Sequence, residues 1–391
     1  MPRFVSLVAV LFTAFTVNAQ SIEGILQSVE AHNTTLSALR RAADAEKAAA
    51  RADLSLPDPE VEFGYMWGNP SEIGSRKNLS AKQSFDIATL SGARRRAAAE
   101  MGRLADWDYR IGRMEILQQA HKACLDVIYY NALLAQLAVR EANARDIADA
   151  QKRRLDAGDA TQLEEHAALL DLAAVKAEVQ RYETERQTAV DVLTMLNGGN
   201  RIMPDAAEFP PLEVPEDFEV WYAEAEQQHP ALAYARQEVA ASKRQLAVSK
   251  AGRLPEFSLG FEGEYVLGER FQGITLGVSI PLWANRGKIR QALAEKQAAE
   301  AREHDACSRF YGQMANLFRK QQGLRATVGI YTAALASTDD TVLLKKALDA
   351  GQISVVDYLQ SVRLYYDAVR MRLDALRDWH QAYAEMTAMT W

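Results

Sequence analysis

From Pro255 onward, Phe257, Leu259, Phe261 and Tyr265 fall on one parity of the chain while Ser258, Gly260, Glu262 and Glu264 fall on the other. That is the period-two signature of a strand with two unlike faces. After a break at Leu267-Gly268-Glu269-Arg270 the alternation returns, with Ile274, Leu276, Val278, Ile280 and Leu282 opposite Gly273, Thr275, Gly277 and Ser279. The first half repeats the scheme. Val61, Phe63, Tyr65 and Trp67 oppose Glu60, Glu62 and Gly64; Leu79, Ala81, Phe85 and Ile87 then oppose Asn78, Ser80, Lys82, Ser84 and Asp86, with Gln83 the one polar residue on the apolar parity. Each run is about 10 residues, the length a tilted strand needs to cross a bilayer.

Between the strand pairs the pattern changes to helix. From Ser91 to Ala157, and again from Asn285 to Ala350, an Ala/Arg/Leu/Glu pattern continues without proline. At about 1.5 Å per residue each segment would reach roughly 100 Å. A helix that long needs packing partners along its length, and shorter helices over Ile22–Leu54 and Thr161–Leu196 are positioned to supply them. Alanine at the seams lets such helices approach closely.

The chain is also a tandem duplication. His32-Asn33-Thr34-Thr35-Leu36 is echoed by His229-Pro230-Ala231-Leu232, and each opens a helix that ends near a Leu-Pro, Leu56-Pro57 or Leu254-Pro255. Ser84-Phe85-Asp86 with Gly92 and Arg94 recurs as Ser279-Ile280-Pro281 with Gly287 and Arg290, and the reversal sequence before Gly158 recurs before Gly351. The landmarks keep their order at spacings of roughly 195 residues, which marks two copies of one unit. The division read from this is a first repeat at 20–199, with a hairpin at 58–88, a proline-rich linker at 200–215 (Pro204, Pro210, Pro211, Pro215), and a second repeat at 216–391 with a hairpin at 255–283.

Composition narrows the function. The net charge is -7 and the basic residues form no single block, which excludes a nucleic-acid footprint. Residues 1–19 have the charged start, short apolar core and small-residue exit of a secretory signal peptide, with cleavage expected after Ala19. No later stretch approaches the roughly 20 apolar residues of a spanning helix. The six histidines, His32, His121, His166, His229, His304 and His380, are scattered without metal-ligand spacing, so no metal site or cofactor is expected. Cys124 and Cys307 read as small buried apolar residues. No phosphate loop or nucleophile turn is present, and the chain is not read as an enzyme.

Alternation alone fits two soluble hairpins with one face on a core as well as it fits membrane strands. Context separates the readings. Four strands cannot close a barrel, and open edges in lipid leave backbone groups unpaired at several kcal/mol each. Three chains would supply twelve. The expected fold is therefore mainly α with a β-barrel portion: duplicated long antiparallel helices making a trimeric α-barrel, and four strands per chain contributing to a 12-stranded transmembrane β-barrel. On this parity Glu60, Glu62, Glu262 and Glu264 point into the lumen with Lys82 offsetting part of their charge, a cation-preferring wall or one that is merely wet. Tyr65, Trp67 and Trp283 suit interfacial aromatic girdles.

The sequence resembles the TolC-like outer-membrane efflux proteins, on His229-Pro230-Ala231-Leu232, Leu254-Pro255, Asn285-Arg286-Gly287-Lys288 and the reversals around Gly158 and Gly351. Leu56-Pro57-Asp58-Pro59-Glu60 is similar to the family's heavy-metal and cation branch. The resemblance implies a homotrimer in the outer membrane, in contact with its lipid and extending into the periplasm, where the helical tube closes. It implies a periplasmic adaptor (membrane fusion) protein and an inner-membrane transporter of the RND type as partners. It also implies a closed end lined by acidic residues, with Asp357 at the first acidic position, Gln360 where a second acid often lies, and Glu164 at the matching place in the first half. Two other readings stay open, the exit duct of a type I protein secretion system and a periplasmic coiled-coil scaffold or adaptor without a channel.

Overall fold

The computed structural model describes residues 21–52, 54–266, 268–283, 285–337 and 341–390. The expected leader at 1–19 and the hairpin residue Leu267 lie outside the described residues. In chain order the elements are α1 (Ile22–His32), α2 (Thr34–Ala52), β1 (Glu60–Trp67), β2 (Ser75–Phe85), α3 (Ile87–Leu90), α4 (Ala93–Asp156) and α5 (Gln162–Leu196). Then follow α6 (Phe218–Gln228), α7 (Pro230–Ala251), β3 (Glu256–Val266), β4 (Glu269–Ser279), α8 (Arg286–Ser337), α9 (Thr341–Asp349) and α10 (Val355–Met386). The chain is mainly helical with one four-stranded antiparallel sheet in the order β1-β2-β3-β4.

Two compact units emerge, each assembled from separated stretches of chain. The first takes residues up to His32, Gln119–Pro211 and Leu324–Gln381, and is helical. Its core joins Tyr129, Leu133 and Leu137 of α4, Val175 and Tyr182 of α5, and Val369 and Leu373 of α10. A second cluster in it joins Ile147, Ala148, Ala168, Leu348, Val355 and Tyr358. The second unit takes Asn33–Gln118, Leu212–Gly323 and the residues from Ala382, and holds the whole sheet. Its helical core gathers Ala225, Leu232, Phe310, Met314, Phe318 and Met386.

Local chemistry sets the element boundaries. Where one helix was expected over Ile22–Leu54 there are two, because Asn33 interrupts it. The Asn33 side chain accepts a hydrogen bond from the Leu36 amide at 2.8 Å and so caps α2. In the second half Pro230 occupies the first turn of α7, where its fixed φ and missing N–H suit a helix start. In the first unit, α1 ends against the turn after α5. Gly198 has φ +65, and a Cβ there would run into the His32 carbonyl. The 64 residues of α4 run without interruption, about 96 Å at 1.5 Å per residue. Residues 200–215 contain neither helix nor strand. Asn131 of α4 donates to the Ala206 carbonyl at 3.0 Å and the Phe209 ring stacks on His380 at 4.7 Å, which fastens this segment to the first unit.

The strands are shorter at the helical end than the alternation predicted. β2 stops at Phe85, so Asp86 and Ile87 are not strand residues. The Asp86 carboxylate instead accepts from the Thr89 amide at 2.8 Å and its hydroxyl at 2.6 Å, capping α3. β4 likewise stops at Ser279, leaving Ile280 and Leu282 beyond it, where Pro281 offers no amide to a ladder.

Candidate functional site

The sheet carries the first candidate surface, and its register decides which side chains share a face. Residues directly opposite one another across an antiparallel pair lie on the same face. Glu60 faces Lys82 and Glu62 faces Ser80. Ser80 in turn faces Glu262, and Asn78 faces Glu264. All five side chains expected at the lumen therefore stand on one face. Sequence reasoning missed Arg76 on that face, whose Nε lies 2.6 Å from the Glu264 carboxylate and offsets one of the four acids. Its signal was in the register, since Arg76 has the parity of Lys82.

Glycines make this face close-fitting. A Cβ on Gly260 would stand 2.6 Å from the Thr275 hydroxyl and 3.0 Å from the Ala81 carbonyl, and one on Gly277 would meet the Ser258 hydroxyl. Glycine in a strand interior marks such close approaches and the bends of a closing barrel. The opposite face is apolar and uncovered: Trp67 is 79 % exposed, Ile274 77 % and Leu276 82 %. Its expected exception, Gln83, is spent locally, donating to the Pro57 carbonyl at 2.8 Å. Among the described residues no helix is long and apolar enough to cross a membrane.

The second candidate lies at the helix reversals of the first unit, where the two halves of the sequence do the same thing twice. Gly158 after α4 and Gly351 after α9 both hold the left-handed conformation, at φ +82 and +66. The Gly158 amide donates to the Leu155 carbonyl and the Asp159 amide to that of Arg154; the Gly351 and Gln352 amides repeat the pattern onto Leu348 and Ala347. These are Schellman closures, which require a residue at ease with positive φ. The next helix then opens on a hydroxyl cap in each half, a full capping box in the first. Thr161 accepts from the Glu164 amide while the Glu164 carboxylate accepts from the Thr161 amide at 2.7 Å. Ser354 accepts from the Asp357 amide at 3.1 Å and donates its hydroxyl to the Asp357 carboxylate at 2.7 Å.

Glu164 and Asp357 thus occupy equivalent places, the third residue of the helix that follows each reversal. Hydrogen bonds from Thr161 hold the Glu164 carboxyl below its ordinary value. Gln360 is exposed one turn further along α10. The capping spacing Thr161-x-x-Glu164 and Ser354-x-x-Asp357 was visible in the sequence and went unread.

Farther along α4, Arg140 is 8 % exposed, with Glu178 at 3.1 Å, Asp171 at 3.6 Å and its guanidinium over the Tyr366 ring at 5.4 Å. Burial pushes the Asp171 carboxyl up, against the Arg140 charge. No group of three or more His, Cys, Asp or Glu among the described residues is arranged to hold a metal ion.

Comparison with known proteins agrees with this architecture. Residues 221–390 match the model of the outer membrane efflux protein family. No curated protein sequence matches. Among solved structures, CusC aligns with TM-score 0.78 at 14 % identity, covering 95 % of this chain and 92 % of its own. The Campylobacter jejuni CmeC outer membrane channel aligns with TM-score 0.77 at 14 % identity, over 94 % and 85 %. The outer membrane protein VceC of Vibrio cholerae aligns with TM-score 0.75 at 16 % identity, over 94 % and 95 %. The chain has the fold of these outer membrane channels over nearly its whole length and the sequence pattern of the outer membrane efflux protein family over residues 221–390.

Proposed function

We propose that the chain is the exit duct of a tripartite efflux pump, three copies closing their sheets into one twelve-stranded barrel above a periplasmic tube of helices. The observation that carries this reading is the sheet. One face bears uncovered large apolar side chains, the other bears carboxylates and glycines, and β1 and β4 end it as free edges. Edges like these are forbidden in lipid unless a neighbour pairs them, and a cyclic trimer pairs each β4 with the next β1. Each repeat, 20–199 and 216–391, then contributes a hairpin to the barrel and helices to the tube, with 200–215 as the linker and 1–19 removed on export.

The duct is passive, and small molecules or metal ions reach it from an inner-membrane transporter of the RND type through a periplasmic adaptor. Glu60, Glu62, Glu262 and Glu264 favour cations in the lumen, reduced by Lys82 and Arg76. Replacing the four glutamates with glutamine lowers cation selectivity in a planar bilayer; unchanged selectivity would refute this part alone. Asp357 and Glu164, with Gln360 one turn on, stand at the closed end and set its charge.

The deciding experiment is planar-bilayer conductance of the detergent-solubilised protein beside its mass in solution. A trimer with discrete conductance steps supports the duct. A soluble monomer or dimer that never inserts overturns it and leaves the scaffold reading in front.

A further inference from the structure

The apolar side of the sheet is not apolar to its end. At the helical end, Phe85 faces Phe257 and Phe257 faces Val278 across β2, β3 and β4. Toward the hairpin tips one rung breaks the rule. Tyr65 faces Lys77, Lys77 faces Tyr265, and Tyr265 faces Arg270, so aromatic and cationic side chains alternate across all four strands. The Lys77 ammonium lies 5.9 Å from the Tyr65 ring centroid and the Arg270 guanidinium 5.7 Å from that of Tyr265. Gln272 donates to the Tyr265 hydroxyl at 3.0 Å.

Both cations are exposed, and neither has a carboxylate in ion-pairing range among the described residues. Arg76, one residue from Lys77 and on the opposite face, does have one in Glu264. The sheet therefore supplies counter-charge to a cation on its polar face and withholds it from two cations on its lipid side.

The height of this rung decides what can supply the missing charge. From Phe85 to Lys77 the strand runs about 26 Å at 3.3 Å per residue. A tilt of about 40° leaves about 20 Å along the bilayer normal, which puts the rung at the far margin of an apolar band about 25 Å tall. A lipid-facing cation is strongly destabilising at the midplane and nearly neutral at the interface, where phosphate oxygens are within reach. With the helices in the periplasm, that margin belongs to the outward leaflet.

We propose that the rung Tyr65, Lys77, Tyr265 and Arg270 is a seat for the phosphate groups of anionic lipid headgroups in the outward leaflet. The cations take the phosphate, and the tyrosine rings hold the cations in place while facing acyl chains below. The proposal rests on the reading of the strands as membrane-spanning.

The test uses the full-length purified protein in neutral detergent, titrated with diphosphorylated lipid A and read by native mass spectrometry. Its comparison proteins are Lys77→Gln/Arg270→Gln and the charge-keeping Lys77→Arg/Arg270→Lys. The glutamine pair is expected to bind about thirtyfold more weakly than wild type, the charge-keeping pair like wild type, and the difference to vanish with dephosphorylated lipid A. Equal binding by the glutamine pair, or an equal loss in the charge-keeping pair, overturns the seat. Bilayer conductance of the same samples separates the two readings: variants that conduct normally with unchanged lipid affinity refute the rung, whereas protein that never inserts refutes the spanning sheet.

Discussion

Asp357 carries two roles that a single alanine substitution would confound: it pairs with the Ser354 hydroxyl at the start of α10, and it is the charge proposed for the closed end of the tube. Two substitutions part them. Asp357→Asn removes the charge and keeps an oxygen that can accept from the Ser354 hydroxyl. Ser354→Ala keeps the charge and removes the acceptor of the Asp357 amide. Loss of a serine N-cap costs about 1 kcal/mol, which is about a fivefold faster hydrogen exchange of that amide if the first turn opens locally. Loss of a carboxylate near a helix N-terminus costs roughly 0.3–1 kcal/mol, so exchange alone will not tell the variants apart. Single-channel conductance will. If charge controls the constriction, Asp357→Asn raises conductance and Ser354→Ala leaves it at the wild-type value although α10 frays more. If the two variants change conductance equally, the geometry of the first turn governs the constriction and the electrostatic reasoning fails.

Three further outcomes follow from the first unit. Burial holds His121 and His380 neutral, with pKa values lowered from 6.5 to about 4, His121 also facing Glu23, which opposes the shift. Their contribution to stability is complete above about 6.5 and is lost as pH falls toward about 4, roughly 3 kcal/mol each; His380→Phe, keeping the stack on Phe209, should reduce the fall of the melting temperature across that window, and an unaltered acid slope would refute the assignment. Tyr129 donates to the Asp374 carboxylate at 2.5 Å, so Tyr129→Phe should cost about 1.5–3 kcal/mol, and adding Asp374→Leu should recover part of it in thermal unfolding. Gly198→Ala should loosen the end of α1 by about 1–2 kcal/mol, because φ +65 suits glycine and the new methyl meets the His32 carbonyl; unchanged exchange protection at residues 28–32 would count against it.

The faces of the sheet were legible because period two leaves no freedom: once Glu262 is on one side, Phe261 must be on the other. Which residues meet across strands was not legible, because register depends on how the chain turns between them. Lys77 and Arg270 sit beyond the cleanly alternating runs, near the hairpin tips, and nothing local ties Lys77 to Tyr265 far along the chain. The helix reversals could be read because the Gly158 and Gly351 sequences repeat a closure that needs glycine. The Arg140 cluster could not. An arginine within a long polar helix looks solvated, and only the fold brings Asp171 and Glu178 of α5 against it. The break at Asn33 was half legible: the echo of His229–Leu232 in His32–Leu36 marks a helix opening, but the helical pattern runs on through it from Ile22, and the capping bond to Leu36 fixes where one helix ends and another begins.

The two halves have kept different things, and the difference bears on how the proposed duct would work. At the reversals the chemistry is duplicated closely: a left-handed glycine, then a hydroxyl cap, then an acid at the third helical position. Across the sheet it is not. The polar face of β1 carries Glu60 and Glu62, and that of β2 carries Arg76 and Lys82, whereas the polar face of β4 has one charge, Glu269 at the hairpin tip, and then Phe271, Gly273, Thr275 and Gly277. In a closed trimer each β4 would lie beside the β1 of the next copy, so the uncharged stretch Phe271 to Gly277 would border every pair of β1 glutamates, with Glu269 the one acid beyond it. The lumen charge would then be three separated clusters rather than a continuous ring, each centred on β1 to β3. In the proposed duct such an arrangement would bias the wall toward cations while leaving weakly charged lanes between clusters, which would suit a passage whose selectivity is set elsewhere than in its own wall.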